Sequence, residues 1–167
     1  DGNVGTMMRY NPSKASTAPE KIAASLGLRA ATQETKDGMV YTVSKGGKAG
    51  KSILFSFNTK TEEAREIGPA AVGTQDYITS IDADKAGRYV YYVPGAHGRS
   101  ENDGSAVVQF DTKTKTRKVI AFLSPYFKDK FGATPTGTFS TALDPAGDKL
   151  YITWNVKRGA AAWDCCA

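Results

Sequence analysis

The sequence predicts an all-β fold in which short antiparallel strands repeat along the chain, and two repeated signatures support this prediction. In the first signature, a strand ends on an aromatic residue, an Asn or Asp follows, and a turn rich in Ser, Thr and Lys comes next. This pattern occupies residues 8–14, 55–61 and 108–114. Its aromatic residues, Tyr10, Phe57 and Phe110, stand 47 and 53 residues apart.

In the second signature, a glycine-containing turn leads into a strand with a tyrosine. The tyrosines are Tyr41, Tyr91 and Tyr151, which stand 50 and 60 residues apart. Repeats of this length, built from short strands and Gly-bearing turns, are typical of the blades of a β-propeller. We predict that the clearest unit forms one complete four-stranded blade. Its strands are expected at 77–83, 88–93, 106–111 and 117–123.

We predict a single propeller domain that the chain crosses in four units. They are a partial blade with an irregular or helical insertion at 1–32, a blade at 33–75, a complete blade at 76–123, and a long rim loop with a partial blade at 124–167. Residues 18–31 allow two interpretations. One is a short helix capped by Thr17 and ended by Gly27, and the other is an irregular outer strand at 25–30.

Composition places the chain among globular domains. Its 167 residues are 40% hydrophobic and 23% charged, which is enough for one domain with a core. The formal net charge is +5. Lysines spread along the predicted turns favour solubility and protection of strand edges, so we expect nucleic acid to be an unlikely partner. No apolar run approaches the roughly 20 residues that a transmembrane helix needs.

Two hairpin segments carry a resemblance to known propeller families. IDADKAGRYVY at 81–91 and ALDPAGDKLY at 142–151 resemble the inner-strand hairpin of TolB-type and YVTN-type repeats. In those families an apolar strand leads into a Ser/Asp-Pro-Asp-Gly-like turn and then into a Leu/Val-Tyr strand. The resemblance covers most of residues 33–167. It implies the architecture and says almost nothing about activity.

The turn in the first of these hairpins contains Asp82, Asp84 and Gly87. A calcium loop needs a longer run of oxygen ligands that ends in Glu. We therefore predict a turn that an Asp side chain stabilises and that Gly87 closes.

Counted in blades, the sequence begins at the third strand of one blade and ends at the third strand of another. A propeller needs about four to eight blades to close. We therefore expect a piece of a larger ring, with remaining blades, or another chain, as the partner that completes it. A first residue of Asp1 rather than Met fits the same expectation. An open stack of blades would expose apolar faces at both ends.

One rim of the predicted propeller gathers the loops that carry binding and catalysis in the resembling families. Residues 94–104 supply His97, the only histidine, together with Arg99, Glu101 and Asp103. This group suits acid–base chemistry or ligand binding, and the alternative is a polar loop in which His97 bonds a backbone carbonyl. Because a single His is a poor site for a first-row metal, we predict no metal. The residues indicate no particular cofactor.

Aromatic residues mark the predicted long rim loop. Tyr126, Phe127 and Phe131 are expected either to form an exposed stacking platform for a carbohydrate or a partner protein, or to pack between blades.

The sequence therefore predicts a propeller scaffold or binding module that presents loops on one rim to a ligand or partner protein. The alternative is part of a secreted or periplasmic propeller enzyme, a hydrolase, lyase or oxidoreductase, whose site is completed by residues outside this chain. Either function leads us to expect a periplasmic or extracellular location.

Overall fold

The computed structural model describes residues 6–14, 18–25, 28–44, 52–95, 105–158 and 162–164. These residues form thirteen strands and one helix. The strands are β1 (Thr6–Arg9), β2 (Glu20–Ser25), β3 (Leu28–Ala31), β4 (Met39–Ser44), β5 (Ile53–Asn58), β6 (Glu63–Pro69), β7 (Ile81–Ala83), β8 (Tyr89–Tyr92), β9 (Ala106–Asp111), β10 (Thr116–Phe122), β11 (Ala133–Leu143), β12 (Leu150–Arg158) and β13 (Ala162–Asp164). The helix is α1 (Leu123–Phe131).

The strands form four antiparallel sheets in chain order, which confirms the predicted all-β fold. Sheet 1 is β1–β2, sheet 2 is β3–β6, sheet 3 is β7–β10, and sheet 4 is β11–β13. Sheets 2, 3 and 4 are meanders because strands that are neighbours in sequence are also neighbours in the sheet, and sheet 1 is a single antiparallel pair. Strand β7 lies beside β4 of sheet 2 and β11 of sheet 4, so successive sheets pack against each other.

The helical interpretation of residues 18–31 is wrong. This segment contains β2, which pairs with β1, and β3, which pairs with β4. The sequence had placed β3 in the first unit, but the strand belongs to sheet 2. The other unit boundaries stay predictions. The Thr42 hydroxyl donates to the Ala30 carbonyl at 2.7 Å. Long-range pairing of this kind overrides local helix signals.

The predicted long loop at 124–137 is also wrong, because α1 and the beginning of β11 occupy it. Pro125 stands in the first turn of α1, where its missing N–H costs little. Gly132 ends the helix with φ +61, and its N–H donates to the Lys128 carbonyl at 3.0 Å. Lys128 and Lys130 lie in the last turn, where cations complement the helix dipole.

The first sequence signature is a repeated turn. The side-chain oxygen of its Asn or Asp accepts a hydrogen bond from the N–H two residues later at 2.9–3.0 Å. The three turns begin at Asn11, Asn58 and Asp111. A short polar side chain that bonds its own backbone explains why this position is Asn or Asp in every repeat.

The second signature is the turn closed by glycine. Asp84 accepts from the Arg88 N–H at 2.7 Å, and Gly87 has φ +74, which confirms the predicted Asp-stabilised turn. In sheet 2 the hydroxyl of Thr35 takes the same place and accepts from the Met39 N–H at 3.1 Å.

The main core lies between sheets 2 and 3. Its buried residues include Tyr41, Val43, Leu54, Ile81, Val90, Tyr92, Val108 and Phe110. A smaller cluster between sheets 1 and 2 joins Ile22 to Phe57, with Val40 packed against it. Since successive strand residues point to opposite faces, Val40 and Tyr41 place sheet 2 in contact with both neighbouring sheets.

Sheets 3 and 4 meet through a polar seam. The Thr79 hydroxyl donates to the Thr138 carbonyl at 2.9 Å, and the Ser80 hydroxyl accepts from the Thr141 N–H at 2.9 Å. The Thr141 hydroxyl donates to the Asp82 carboxylate. Hydrogen bonds between β11 and the chain at the start of β7 thus fix the position of sheet 4.

Candidate binding surface

Nine large hydrophobic side chains are exposed among the described residues, and they fall in three places. Met8 and Tyr10 lie at β1, and Phe139 and Tyr151 lie on sheet 4. The other five belong to β10 and α1, and we call them the β10–α1 surface. They are Val119, Ile120, Phe122, Tyr126 and Phe131.

Aromatic contacts hold α1 against sheet 4. The half-buried Phe127 ring packs edge-on against Trp154 of β12, with 4.8 Å between ring centroids and an interplanar angle of 71°. Tyr126 and Phe131 remain 53% and 55% exposed. Phe127 therefore packs onto sheet 4, although the packing alternative that the sequence allowed lay between blades, and Tyr126 and Phe131 are exposed.

A lysine joins the two exposed rings of α1. The Lys130 ammonium donates to the Tyr126 hydroxyl at 3.0 Å and lies 5.6 Å from the centroid of the Phe131 ring. The Tyr126 and Phe131 rings are themselves 6.2 Å apart at an interplanar angle of 70°. Two aromatic side chains and one cation therefore present a combined apolar and positive surface.

Positive charge is concentrated along this part of the chain. Residues 112–131 contain six Lys or Arg and one acidic residue, Asp129, so their net charge equals the +5 of the whole chain. The rest of the sequence is therefore balanced. The basic residues are Lys113, Lys115, Arg117, Lys118, Lys128 and Lys130. A surface of this sign favours an acidic partner.

The perturbed carboxyl and phenol groups of the described chain belong to the sheets and not to the β10–α1 surface. Burial raises the pKa of Tyr92, and Arg117 opposes this only in part. Burial also tends to raise the pKa of Asp111, but hydrogen bonds from the Thr114 N–H and from Arg88 lower it. The Arg88–Asp111 distance is 2.6 Å. The lowered pKa of Asp111 stabilises its turn at neutral pH, whereas the raised pKa of Tyr92 means that the buried phenol stays protonated.

The other predicted site residues, His97, Arg99, Glu101 and Asp103, lie in 96–104, outside the described residues. Their predicted role stays a prediction. Elsewhere along the described chain, no cluster of three or more His, Cys, Asp or Glu side chains is placed to hold a metal ion.

The sequence did not identify two residues that contact the aromatic side chains of α1. They are Trp154, which packs on Phe127, and Lys130, which donates to Tyr126. The spacing of Phe127 to Phe131 and of Tyr126 to Lys130 is four residues, which places each pair on one face of a helix. This spacing, between Pro125 and Gly132, was the available signal for α1. The position of Trp154 could be found only from the packing of sheet 4.

The exposed tyrosines at sheets 1 and 4, Tyr10 and Tyr151, occupy repeat positions whose counterparts lie in sheets 2 and 3. Tyr10 is 51% exposed, whereas its counterparts Phe57 and Phe110 are 4% and 3% exposed. Tyr151 is 61% exposed, whereas its counterpart Tyr41 is 4% exposed and its other counterpart Tyr91 is half-buried. The difference follows from position because, within the described chain, Tyr10 and Tyr151 have no further sheet to pack against.

Solved structures of low sequence identity share this fold. A chain in the crystal structure of a nidogen/laminin complex matches with a TM-score of 0.57 and 12% identity, over 83% of this chain and 46% of that one. A chain of hydrazine synthase from Kuenenia stuttgartiensis matches with a TM-score of 0.52 and 14% identity, over 85% of this chain and 36% of that one. This chain thus spans less than half the length of either.

These likenesses show the fold alone: the chain is a partial β-propeller. No protein-family model matches the sequence, and no curated protein matches it. In the part of the chain that the structure describes, no helix is both long enough and apolar enough to cross a membrane.

Proposed function

We propose that the chain is a propeller scaffold that binds a partner protein through the β10–α1 surface. The observation that carries this proposal is the pair of exposed rings on α1, Tyr126 and Phe131, on a helix that Phe127 fixes to Trp154. Exposed aromatic side chains on a rigid support are typical centres of protein interfaces. Because their support is already packed, binding loses little conformational entropy.

The surroundings of the two rings support a protein partner over a carbohydrate. Three more exposed apolar residues, Phe122, Ile120 and Val119, precede α1 in β10, so exposed apolar side chains follow one another along the chain over a strand and a helix. Lysines border it, as expected for the polar rim of an interface. One structural neighbour comes from a complex between two proteins, which fits this function.

A displayed random-peptide library tests the proposal. We expect selection against the 167-residue chain to enrich peptides that lose at least about tenfold in affinity on the Tyr126→Ala/Phe131→Ala double substitution. The matched control is Tyr151→Ala, which removes an equally exposed ring from sheet 4 and should leave binding unchanged. Enrichment of peptides that tolerate the double substitution would contradict the proposal, as would oligosaccharides binding in their place.

A second interaction is proposed for the two ends of the stack. We infer that sheets 1 and 4 dock onto further blades, supplied by more sequence or by another chain. Tyr10 and Tyr151 support this, since Phe57 and Phe110, the counterparts of Tyr10, are buried, and the counterparts of Tyr151 are buried at Tyr41 and half-buried at Tyr91. The mass of the native particle and the identity of its chains test it. A native particle that contains no sequence beyond one copy of this chain would contradict it.

Within the propeller class, we propose that the chain is related to TolB-type and YVTN-type repeats. The glycine turns at Gly87 and Gly147, with the Asp84 and Asp144 side chains bonded to the following backbone, support this relation. The enzymatic alternative rests on His97, and no observation on the described residues favours it. Mutation of His97 to Ala in the complete protein is its test. A periplasmic or extracellular location stays a prediction that fractionation of the source cells would check.

A further inference from the structure

Strand β10 is the outer edge of sheet 3. It pairs with β9 on one side, and on its other side no strand of the described chain pairs with it. All seven of its residues, Thr116–Phe122, are exposed. An edge of this kind presents unpaired N–H and C=O groups, which can bond to an added strand.

The equivalent edge of sheet 2 carries charge or proline over its whole length, whereas the charged side chains of β10 stand only in its first half, at Arg117 and Lys118. Strand β6 places charged side chains at most of its exposed positions and ends with Gly68 and Pro69. Proline has no N–H to offer, and Arg117 of sheet 3 donates to the Pro69 carbonyl. Charges and proline are the usual means by which proteins block an edge strand.

Strand β10 instead ends in four consecutive apolar residues, Val119 to Phe122, of which Val119, Ile120 and Phe122 are large and exposed. Its pairing with β9 shifts between Val119 and Ala121, so Ile120 has no partner in β9. The register shift marks a β-bulge at this residue. The bulge bends the strand but does not remove its apolar side chains.

The charge beside this edge selects the partner. Lys113, Lys115 and Lys118 lie in or directly before β10, and across the described ranges none of the three forms a salt bridge. Arg117 adds a fourth cation. Acidic side chains on an incoming segment would meet uncompensated positive charge along the first half of β10.

We propose that β10 binds an extended acidic segment of a partner protein, which adds to sheet 3 as a fifth strand. This inference rests on the proposed function and specifies the partner: one face of the added strand is apolar and contacts Val119 and Phe122, and the other face carries Asp or Glu and faces Lys118. The segment extends towards α1 because β10 runs directly into that helix.

The test uses a short fluorescein-labelled peptide that alternates valine and glutamate. We expect it to bind the 167-residue chain in low salt and to protect the amides of residues 116–122 from hydrogen exchange. N-methylation of every second peptide amide, prepared in both alternations, keeps the side chains but blocks backbone pairing. We expect one of the two forms to bind at least about tenfold more weakly than the parent peptide.

Charge reversal supplies the second measurement. Lys118→Glu should weaken binding about threefold to fivefold. Lys21→Glu is the matched control because it changes the net charge equally at an exposed position of β2 in sheet 1, and it should have no effect. Absence of peptide binding would overturn the proposal, as would equal binding of the parent and both N-methylated forms.

Failure of this proposal is distinguishable from failure of the proposed function. Library peptides that depend on Tyr126 and Phe131 but tolerate N-methylation would leave the binding function standing and exclude strand addition. A dimer of the chain that protects residues 116–122 without any peptide would show that a second copy occupies the edge, and would also overturn the proposal.

Discussion

Sheet 2 buries both repeat aromatic residues, Tyr41 and Phe57, whose counterparts in sheets 1 and 4 are exposed, and sheet 3 buries Phe110 and half-buries Tyr91. The aromatic residue before the Asn or Asp turn is buried as Phe57 and Phe110 but exposed as Tyr10. The chemistry of the turn is the same in all three repeats, since each Asn or Asp bonds the backbone two residues later. Local sequence therefore shapes the hairpin, while a neighbouring sheet decides whether its aromatic side chain stabilises the fold.

The interfaces inside the stack also differ from one another. Apolar side chains join sheets 2 and 3, whereas hydroxyl and carboxylate groups join sheets 3 and 4. Hydrophobic burial is largely insensitive to exact geometry, but the bonds of Thr141 to Ser80 and Asp82 require a fixed position. The inner pair of sheets therefore provides most of the stability, and the polar seam sets the orientation of the last sheet.

The largest expected difference separates Phe110 from Tyr10. Phe110→Ala should lower the free energy of unfolding by about 3–5 kcal/mol because it opens a cavity in the main core. Tyr10→Ala should change it by less than about 1 kcal/mol because the ring is half exposed. Urea denaturation followed by circular dichroism measures both. Should Phe110→Ala fail to fold, Phe110→Leu gives the same comparison with a smaller loss in the free energy of unfolding. Equal losses at Phe110 and Tyr10 would contradict the expected difference.

The glycine turns give a second pair. Alanine at Gly87 would be strained by φ +74, and its Cβ would lie 3.1 Å from an Asp37 carboxylate oxygen and 3.2 Å from the Thr35 Cβ. Alanine at Gly147 would have a similar φ of +80 but no contact closer than 3.7 Å. We expect a loss of about 1 kcal/mol at Gly147 and a larger one at Gly87. The reverse order in thermal unfolding would argue that sheets 2 and 3 do not meet at this turn.

Substitutions of Asp111 distinguish the stability that comes from its turn hydrogen bonds from the stability that comes from its charge. Asp111→Asn keeps the turn bonds, as Asn58 does, but loses the ion pair with Arg88. Because the pKa of Asp111 is lowered in the fold, the stability from its charge is present above its ordinary pKa and disappears as pH falls through the lowered value. The stability advantage of the parent chain over Asp111→Asn should therefore vanish in acid.

Urea titrations at a series of pH values measure this prediction. Asp111→Ala provides the control, since it also removes the turn bonds and should stay less stable than Asp111→Asn in acid. An advantage over Asn that persists unchanged below the lowered pKa would show that the Arg88 pair is not its source.

The smallest stability effect is expected at the β10–α1 surface. Tyr126→Ala should change the free energy of unfolding by less than about 0.5 kcal/mol because the ring is exposed. Phe127→Ala should cost more, since its ring packs on Trp154 at 4.8 Å. Thermal unfolding of both variants checks this, and a large loss for Tyr126→Ala would mean that this ring supports the fold instead of serving a partner.

The repeats could be predicted from sequence because they depend on local chemistry. Asn58 and Asp111 recur with the same turn partners, and Gly87 and Gly147 recur with positive φ. The helix at 123–131 was missed because the segment between two predicted strands was assigned to a loop, although its Pro125 and Gly132 mark helix ends. Its contact with Trp154 depends on how sheet 4 packs, and no local pattern records that.

The strand β3 was assigned to the wrong unit for a related reason. The alanine-rich sequence before it carries no strong strand preference, and pairing with β4 decides its structure. The exposed β10–α1 surface followed from sequence only in part, through Tyr126 and Phe131. The exposure of Val119, Ile120 and Phe122 could not be predicted because apolar strand residues are usually buried.

Hydroxyl-radical footprinting of the isolated chain tests the central comparison most directly, because the rate of side-chain oxidation reports solvent exposure. The account predicts fast oxidation of Tyr10 and Tyr151 and slow oxidation of their repeat counterparts Phe57, Phe110 and Tyr41 once intrinsic reactivity is normalised against the unfolded chain. Equal normalised oxidation rates at the terminal and inner positions would contradict the account, in which Tyr10 and Tyr151 have no further sheet of the described chain to pack against.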